Sequence, residues 1–299
     1  MQKTVKGRSK SSKSIVITGD MHVGNNYAIH TGEFAKIPEK LLPIKDLWYS
    51  ASDKLKRDKP SLFFINGEHI DGDNEKELGA QQWTTNINRQ MADAENLLKA
   101  FKITDIGFNR GSNYHTTKGN TSFEETTANA LKNVYNVVTY SPFDDNIIKT
   151  TTRKEWNNEG GHHPKIVIDD LFVCRINGLV FHIMHHVGGS KWFSYLPTAL
   201  GREMAQLVFF NEKLWETKDS PSIIVRSHTH RYVQIKYSTT AGFVCPSWKI
   251  FDRFILKNGQ DAGSVGLMEV VVEPNGEFLI NDIMLENKDY PKINIVDIN

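Results

Sequence analysis

Histidines recur at one kind of position in this sequence. The chain has 11 histidines among its 299 residues, and most of them follow runs of β-branched and aromatic residues that are typical of strands. The seven that do so are His22, His69, His115, His185, His186, His228 and His230. A side chain just beyond a strand is held in place yet stays open to solvent, so these positions are typical of catalytic or metal-binding residues.

The same loops carry oxygen donors. These donors are Asp20, Glu68, Asp71, Ser112 and Asn113. Carboxylate, imidazole and amide groups together suit a pair of divalent cations of hard to borderline character. Cys174 and Cys245 are the only cysteines, too few for a thiolate cage or a disulfide framework, and we expect both to be reduced. The pattern therefore predicts a metal site built from oxygen and imidazole ligands.

Strands and helices alternate in the first half of the chain, and strands dominate the second half. Strand-like runs cover 14–19, 61–67, 105–110, 136–141, 165–176, 178–186, 222–227, 233–238, 264–273 and 277–285. Helical periodicity covers 37–58, 74–102, 122–135 and 197–215. This order predicts a layered α/β fold with a second, strand-rich sheet. In such folds the polar loops meet beyond the ends of the strands.

The ordered motifs resemble those of the calcineurin-like metallophosphoesterase superfamily. That pattern runs D-x-H, G-D-x-x-D, G-N-H-[DE], a lone histidine at a strand end, and G-H-x-H. "GDMHVG", "GEHID", "RGSNYH", "IMHH" and "SHTH" occur in the same order within residues 15–232, and the ordered set is far more specific than any single motif. The resemblance implies a β-sandwich flanked by helices, with the layers ordered α/β/β/α.

The resemblance also implies a set of metal ligands. These are Asp20, His22 and His230 for one divalent ion, and His185 and His228 for the other. Glu68 stands where the family has a bridging aspartate, and a shared anion offsets the repulsion between two cations about 3.5–4 Å apart. Manganese is the expected metal, with iron, zinc, nickel and cobalt as alternatives.

The third motif departs from the family pattern, because its asparagine and histidine are not adjacent. Either Ser112 takes the place of the amide, or Asn113 supplies the amide oxygen with one extra residue in the loop. We favour Asn113, because an amide carbonyl is the better neutral ligand for such cations. His115 would then face the leaving group as general acid or electrostatic stabiliser. We predict that His69 and His186 are structural or support the ligands.

The segment after His185 offers candidate contacts to the substrate. Ser190, Lys191 and Arg202 are candidates for binding the phosphate or the group attached to it. Nearby aromatic residues that could stack on a base or a sugar are Trp192, Phe193 and Tyr195. The alternative is that this stretch packs a loop against the core and that Arg202 forms a surface ion pair.

Composition limits the partners. The formal net charge of +1 includes five cations and no acid in residues 1–14, so the remainder carries about −4. A strongly basic face for duplex DNA is therefore not indicated. We expect residues 1–14 to be a basic, flexible tail and residues 15–299 to be one domain. The sequence lacks a run of about 18 apolar residues and a secretory signal, which predicts a cytoplasmic protein with no membrane partner.

Three functions remain open at this point. The first is a dinuclear metal-dependent phosphoesterase that uses metal-activated hydroxide, acting on a phosphodiester more readily than on a monoester. The second is a metal-dependent nuclease on single-stranded DNA or RNA. The third is a catalytically impaired scaffold or binding protein, which Glu68 and the separated asparagine and histidine would favour. The expected partner is a phosphate ester, with nucleotides and single-stranded nucleic acid as candidates, and the oligomeric state is not predicted.

Overall fold

The structure is a computed structural model. It describes residues 11–74, 78–102, 105–112, 115, 117–118, 121–131, 136–138, 171–188, 195–207, 220–237, 240–250 and 263–291. The predicted tail at 1–14 therefore lies mostly outside the described residues. No helix in this part of the chain combines the length and apolar character that crossing a membrane requires.

The described part of the chain forms thirteen strands and four α-helices. The strands are β1 (Lys13–Thr18), β2 (Leu62–Asn66), β3 (Asp105–Asn109), β4 (Thr117–Lys118), β5 (Thr121–Ser122), β6 (Asn136–Val138), β7 (Leu171–Ile176), β8 (Leu179–Met184), β9 (Ile223–Arg226), β10 (Val233–Lys236), β11 (Ala241–Val244), β12 (Gly266–Val272) and β13 (Phe278–Met284). The helices are α1 (Leu42–Asp58), α2 (Ile87–Lys99), α3 (Phe123–Leu131) and α4 (Leu196–Ala205).

Two mixed sheets hold most of these strands. The first has the order β13-β12-β1-β2-β3-β6, and β1, β2, β3 and β6 run parallel in it. The second has the order β10-β11-β9-β8-β7, with β8, β9 and β11 parallel. The carboxyl ends of parallel strands meet at one edge of a sheet, so the loops after β1, β2 and β3 emerge together, as do those after β8 and β9.

Alternating side chains place one core between the sheets and another under the helices. On β1, Ile15 and Ile17 join the inter-sheet core, where Phe64 and Phe181 also lie. Val16 points the other way, into the core formed with helices α1, α2 and α3. The outer face of the second sheet packs on α4 through a cluster that includes Leu200, Met204 and Ile224. The layers are therefore α/β/β/α, and the predicted fold is confirmed.

Two helices begin later than periodicity predicted. α1 begins at Leu42, with Pro43 in its first turn, where proline's missing N–H costs nothing. α2 begins at Ile87 and not at 74, because Asn86 caps it by accepting a hydrogen bond from the Arg89 N–H. Residues 75–77 of that predicted helix lie outside the described residues.

The sequence analysis missed strand β11. Its four residues include Gly242, and the run is too short for a clear alternation. The strand forms because it lies between β9 and β10, which supply its hydrogen-bonding partners on both sides. Its end leads to residues 247–250, which reach the loop after β1.

Candidate metal centre

The loops after five strands converge at one edge of the sandwich. Asp20 and His22 follow β1, Glu68 follows β2, and Ser112 and His115 follow β3. From the second sheet come His185 and His186 after β8, and His228 and His230 after β9. The described residues include three groups in which each residue offers one ligand atom, and within each group these atoms lie within 4.8 Å of one another. The first cluster is Asp20, His22, Glu68 and His230, and the second cluster is His185, His186 and His228. A third group, His22, Asp71 and His115, shares His22 with the first cluster.

Unusual backbone conformations accompany this convergence. Five of the converging non-glycine residues have a positive φ, at Asp20 (49°), His22 (47°), Glu68 (52°), His228 (74°) and His230 (57°). Such conformations cost about 1–3 kcal/mol each and tend to cluster at functional sites. Gly67 is needed for a similar reason, since its φ is 81° and a Cβ there would lie 2.8 Å from Gly111 Cα and closer still to the His185 ring.

Buried amides fasten the two sheets together behind the site. Asn66 Nδ2 donates to Met184 O at 2.9 Å and to Ser227 Oγ at 2.8 Å. Asn109 Nδ2 donates to Asn66 Oδ1 at 3.1 Å and to Ile183 O at 2.8 Å. Both asparagines end strands of the first sheet, and their partners in the second sheet lie in or directly after β8 and β9. These bonds therefore fix the distance between the loops that carry the histidines.

The first cluster brings several electron-pair donors face to face. His22 Nε2 lies 2.9 Å from Glu68 Oε2 and 3.0 Å from His230 Nε2. His230 Nε2 in turn lies 3.5 Å from Asp20 Oδ1. His22 Nδ1 is occupied by Asp71 Oδ1 at 3.0 Å. In its neutral form, with the proton on Nδ1, His22 would direct the lone pair of Nε2 toward these groups and could share a cation with them.

His185 repeats the arrangement. Its Nδ1 donates to Asn66 O at 2.8 Å, which leaves Nε2 3.1 Å from Glu68 Oε1 and 3.9 Å from Asp20 Oδ1. Within the described part of the chain, both His185 Nε2 and Asp20 Oδ1 are buried without a hydrogen-bond partner. Buried polar atoms are rarely left in that state unless an ion or water completes them. These atoms therefore fit a metal site.

The pKa shifts also show that the pocket favours a positive charge. Burial opposes protonation of His22 and His185, yet the neighbouring carboxylates outweigh it and raise the pKa of each ring to about 9. For Glu68, burial favours the neutral form, but the surrounding histidines hold its pKa well below the ordinary value. A divalent cation would supply the charge that these oxygens attract.

Glu68 connects the two clusters. Its Oε2 faces His22 of the first cluster, and its Oε1 faces His185 of the second. Ser112 supports the second oxygen, because its N–H donates to Oε1 at 3.1 Å and its hydroxyl lies 2.5 Å from the same atom. The side chain is 2% exposed. The glutamate thus reaches both groups of ligands, although the resemblance found in the sequence implies a shorter aspartate at this position.

Ser112 and His115 lie beside the clusters. Ser112 Oγ is 3.4 Å from His228 Nδ1, whereas Asn113, the predicted amide ligand, is outside the described residues. His115 Nδ1 lies 2.5 Å from Asp71 O, and its ring centroid is 4.8 Å from that of His22. Burial lowers the pKa of His115 below its ordinary value.

Only some of the predicted substrate contacts lie within the described residues. Ser190 and Lys191 lie outside the described residues, as do Trp192 and Phe193. Arg202 is exposed on α4, and it is the next residue, Glu203, that contacts the loop after β8. Tyr195 is exposed at the start of α4. His69 is buried and is hydrogen-bonded to Thr127 of α3 at 2.8 Å, and its structural role stays a prediction.

Lys249 is a positive charge near the site that the sequence analysis missed. Its segment is fixed by Trp248 N donating to Asp20 O at 3.0 Å, and by Ile250 N donating to Tyr27 O at 2.9 Å. The side chain is 6% exposed. Burial lowers the pKa of His230, and the charge of Lys249 contributes to that lowering. No motif indicated this residue, because it follows the last metal motif and reaches the site only through tertiary pairing.

A partly buried ion pair connects helix α4 to the end of β9. Glu203 Oε2 accepts from Arg226 Nε at 2.6 Å, and Glu203 Oε1 accepts from the Gly188 N–H at 2.7 Å. Arg226 is 2% exposed and directly precedes Ser227 and His228. One carboxylate on α4 therefore holds the ends of both β8 and β9.

We expect Glu203→Gln to lower the free energy of unfolding by about 3 kcal/mol, because it leaves the buried guanidinium of Arg226 without its counter-ion. Glu125→Gln is the matched control, since Glu125 pairs with Arg110 at 2.8 Å where the two side chains are 38% and 35% exposed, and exposed pairs are worth at most about 1 kcal/mol. Urea unfolding followed by circular dichroism measures both. Equal losses in the two variants would contradict the positioning role of Glu203.

Comparison with known proteins gives the family. A family model described as calcineurin-like phosphoesterase matches residues 13–232. The chain therefore belongs to the calcineurin-like phosphoesterase family, which binds divalent metals and in general hydrolyses phosphate esters. A search of curated proteins finds no match.

Similar solved structures share little sequence with this chain. Vacuolar protein sorting 29 (Vps29) from Cryptosporidium parvum is 10% identical, with a TM-score of 0.42, over 91% of this chain and 97% of that one. Vps29 from Entamoeba histolytica, complexed with Zn²⁺, is 10% identical, with a TM-score of 0.41, over 91% and 99%. A novel archaeal phosphodiesterase is 13% identical, with a TM-score of 0.39, over 90% and 99%. Likeness at this level says nothing about the substrate.

Proposed function

We propose that this protein hydrolyses a phosphate ester, preferentially a phosphodiester, with two bound divalent metal ions. The observation that carries the proposal is the placement of Glu68, whose two carboxylate oxygens face one histidine in each cluster. A single carboxylate between two sets of imidazoles is the arrangement that a pair of cations requires. A cytoplasmic location remains a prediction.

The donor sets fit two cation positions. Asp20, His22 and His230 would hold the first ion, and His185 and His228 would hold the second, with Glu68 between them. Ions bound there would act as Lewis acids on the phosphate oxygens and would provide a nucleophile at neutral pH by lowering the pKa of water. Manganese suits the first position, where carboxylates make up half of the donor groups.

The protein's own groups supply charge and a proton donor. Lys249 adds a buried positive charge at the first cluster, which would attract the phosphate anion. His115 lies beside the same cluster, with Nδ1 held by the main chain of Asp71. This contact orients the ring, so that Nε2 is the atom that would pass a proton to a leaving alkoxide once the ring carries both of its N–H protons. Assistance to a poor leaving group favours a phosphodiester as the substrate.

Metal content and hydrolysis test the proposal together. We expect protein that has been stripped by a chelator and reloaded with Mn²⁺ to bind two ions per chain and to hydrolyse bis(p-nitrophenyl) phosphate faster than p-nitrophenyl phosphate. Elemental analysis and absorbance measure the two quantities. Absence of bound metal after reloading would contradict the proposal. Two bound ions without turnover of any phosphate ester would favour the scaffold alternative.

The nuclease alternative has a separate signature. It predicts cleavage of single-stranded DNA, with binding that weakens as salt rises because phosphate contacts release counter-ions. Binding should also be lost when residues 1–14, the basic end of the chain, are deleted. Turnover of small diesters without cleavage of single strands would leave the phosphodiesterase proposal ahead.

A further inference from the structure

A second histidine directly follows His185. Successive residues of a strand point to opposite faces, so two adjacent histidines within a strand could not bind the same metal ion. β8 ends at Met184, however, and the chain leaves the strand at His185. His185 is buried and His186 is exposed, yet both rings face the same third ring, that of His228.

The three rings form a compact group. The ring centroid of His186 is 4.9 Å from that of His185 and 4.7 Å from that of His228, and the rings meet edge to face. One ligand nitrogen from each lies within 4.8 Å of the other two. Small side-chain rotations would bring these nitrogens onto a common ion. Edge-to-face packing alone would hold the rings equally well with a phenyl group in place of His186, so packing and ligation can be separated by experiment.

The position of His186 suits a ligand at the mouth of the site. His185 lies deep, held through Nδ1 by Asn66 O, and His228 is partly exposed. His186 lies on the solvent side of both. An ion held by these three imidazoles and by Glu68 Oε1 would still face solvent, where a water molecule or a phosphate oxygen could complete the coordination.

We infer that His186 is a ligand of the second cation position, which therefore presents three imidazoles and selects a borderline cation such as Zn²⁺ over Mn²⁺. The inference rests on the proposed function and departs from the structural role predicted for His186 from the sequence. The first position differs, since it combines two carboxylates with two imidazoles. Imidazole suits zinc, whereas carboxylate suits manganese. The preference for Zn²⁺ over Mn²⁺ should therefore be stronger at the second position than at the first.

The test compares wild-type protein with His186→Phe, which keeps a planar ring in the group but removes the ligand nitrogen. Metal-free samples of both are titrated calorimetrically with Zn²⁺ and, separately, with Mn²⁺. We expect the variant to bind one of its two Zn²⁺ ions at least about 10-fold more weakly. This is the smallest loss of affinity that is typical when a residue that only hydrogen-bonds to a metal ligand is removed. The affinity for the other ion should stay within about 2-fold, and the loss should be smaller for Mn²⁺ than for Zn²⁺.

A Co²⁺ titration gives a second readout that does not depend on turnover. The visible absorption of bound Co²⁺ should differ between wild type and His186→Phe, because the number of nitrogen ligands changes. Equal Zn²⁺ affinities and identical Co²⁺ spectra would overturn the inference while leaving the proposed function intact. Unchanged metal affinity with a raised KM would also overturn it, and would place His186 against the substrate. A wild-type protein that binds no ion would overturn the proposed function, and the inference with it.

Discussion

Glu68→Gln is expected to lower the affinity for metal by more than about 100-fold and to lower turnover by at least as much. A loss of about 100-fold is the upper end for removing a residue that only hydrogen-bonds to a metal ligand, and a ligand should cost more. The variant keeps the size of the side chain and can still accept a hydrogen bond from the Ser112 N–H. It loses the negative charge that both clusters share. Two cations would then face each other with Asp20 as the remaining carboxylate of the first cluster.

Elemental analysis of the reloaded variant and its rate on a chromogenic diester measure these effects. Glu68→Asp is the informative control, because it introduces the residue that the motif resemblance implies at this position but withdraws the carboxylate by one methylene. The glutamate reaches His22 on one side and His185 on the other. We therefore expect the aspartate variant to retain partial metal binding and measurable turnover. A glutamine variant with full metal content would remove the main support for a bridging role.

His115→Asn is expected to lower kcat for an alkyl phosphodiester by about 10²–10⁴-fold, the usual contribution of a general acid or base. Metal content should stay unchanged. The asparagine amide can still donate to Asp71 O, so the loop should keep its position. The variant lacks a group that can give up a proton to the leaving alkoxide. The ring also lies 4.8 Å from that of His22, close enough for the loss to be confused with damage to the metal site.

Leaving-group dependence separates these causes. A good leaving group such as p-nitrophenolate needs little protonation, so the variant should lose much less activity on a p-nitrophenyl diester than on an alkyl diester. A damaged metal site would slow both substrates equally. Loss of metal in proportion to activity would instead make His115 a ligand, since one of its ring nitrogens lies within 4.8 Å of a ring nitrogen of His22 and a carboxylate oxygen of Asp71.

Much of the fold could be predicted from the sequence, because its signals are local. Alternation along "SIVITG" marks β1, and the burial of Ile15 and Val16 on opposite faces of the strand follows from the two-residue period. The same reasoning placed polar loops at the ends of β1, β2, β3, β8 and β9. Their convergence followed from a general property of parallel strands, whose carboxyl ends share one edge.

The limits of local signals show in the helices and in β11. Periodicity extended α2 back to residue 74, whereas the Asn86 cap starts it at Ile87. Ala241–Val244 carries too few residues for a pattern, and it became a strand because β9 and β10 offer partners on both sides. A strand of this kind is specified by its neighbours and not by its own composition.

The sequence by itself determined the kinds of ligand, their order along the chain and the layers that carry them, since these depend on residue type and on short-range periodicity. Only the tertiary structure decided that Glu68 spans both clusters, that the charge of Lys249 acts on His22 and His230, that Glu203 holds the loop after β8, and that His186 turns toward His228. Each of these depends on the distance between residues far apart in the chain or on the path of the chain after a strand ends. The packing of the two sheets sets these distances, and no local pattern encodes them.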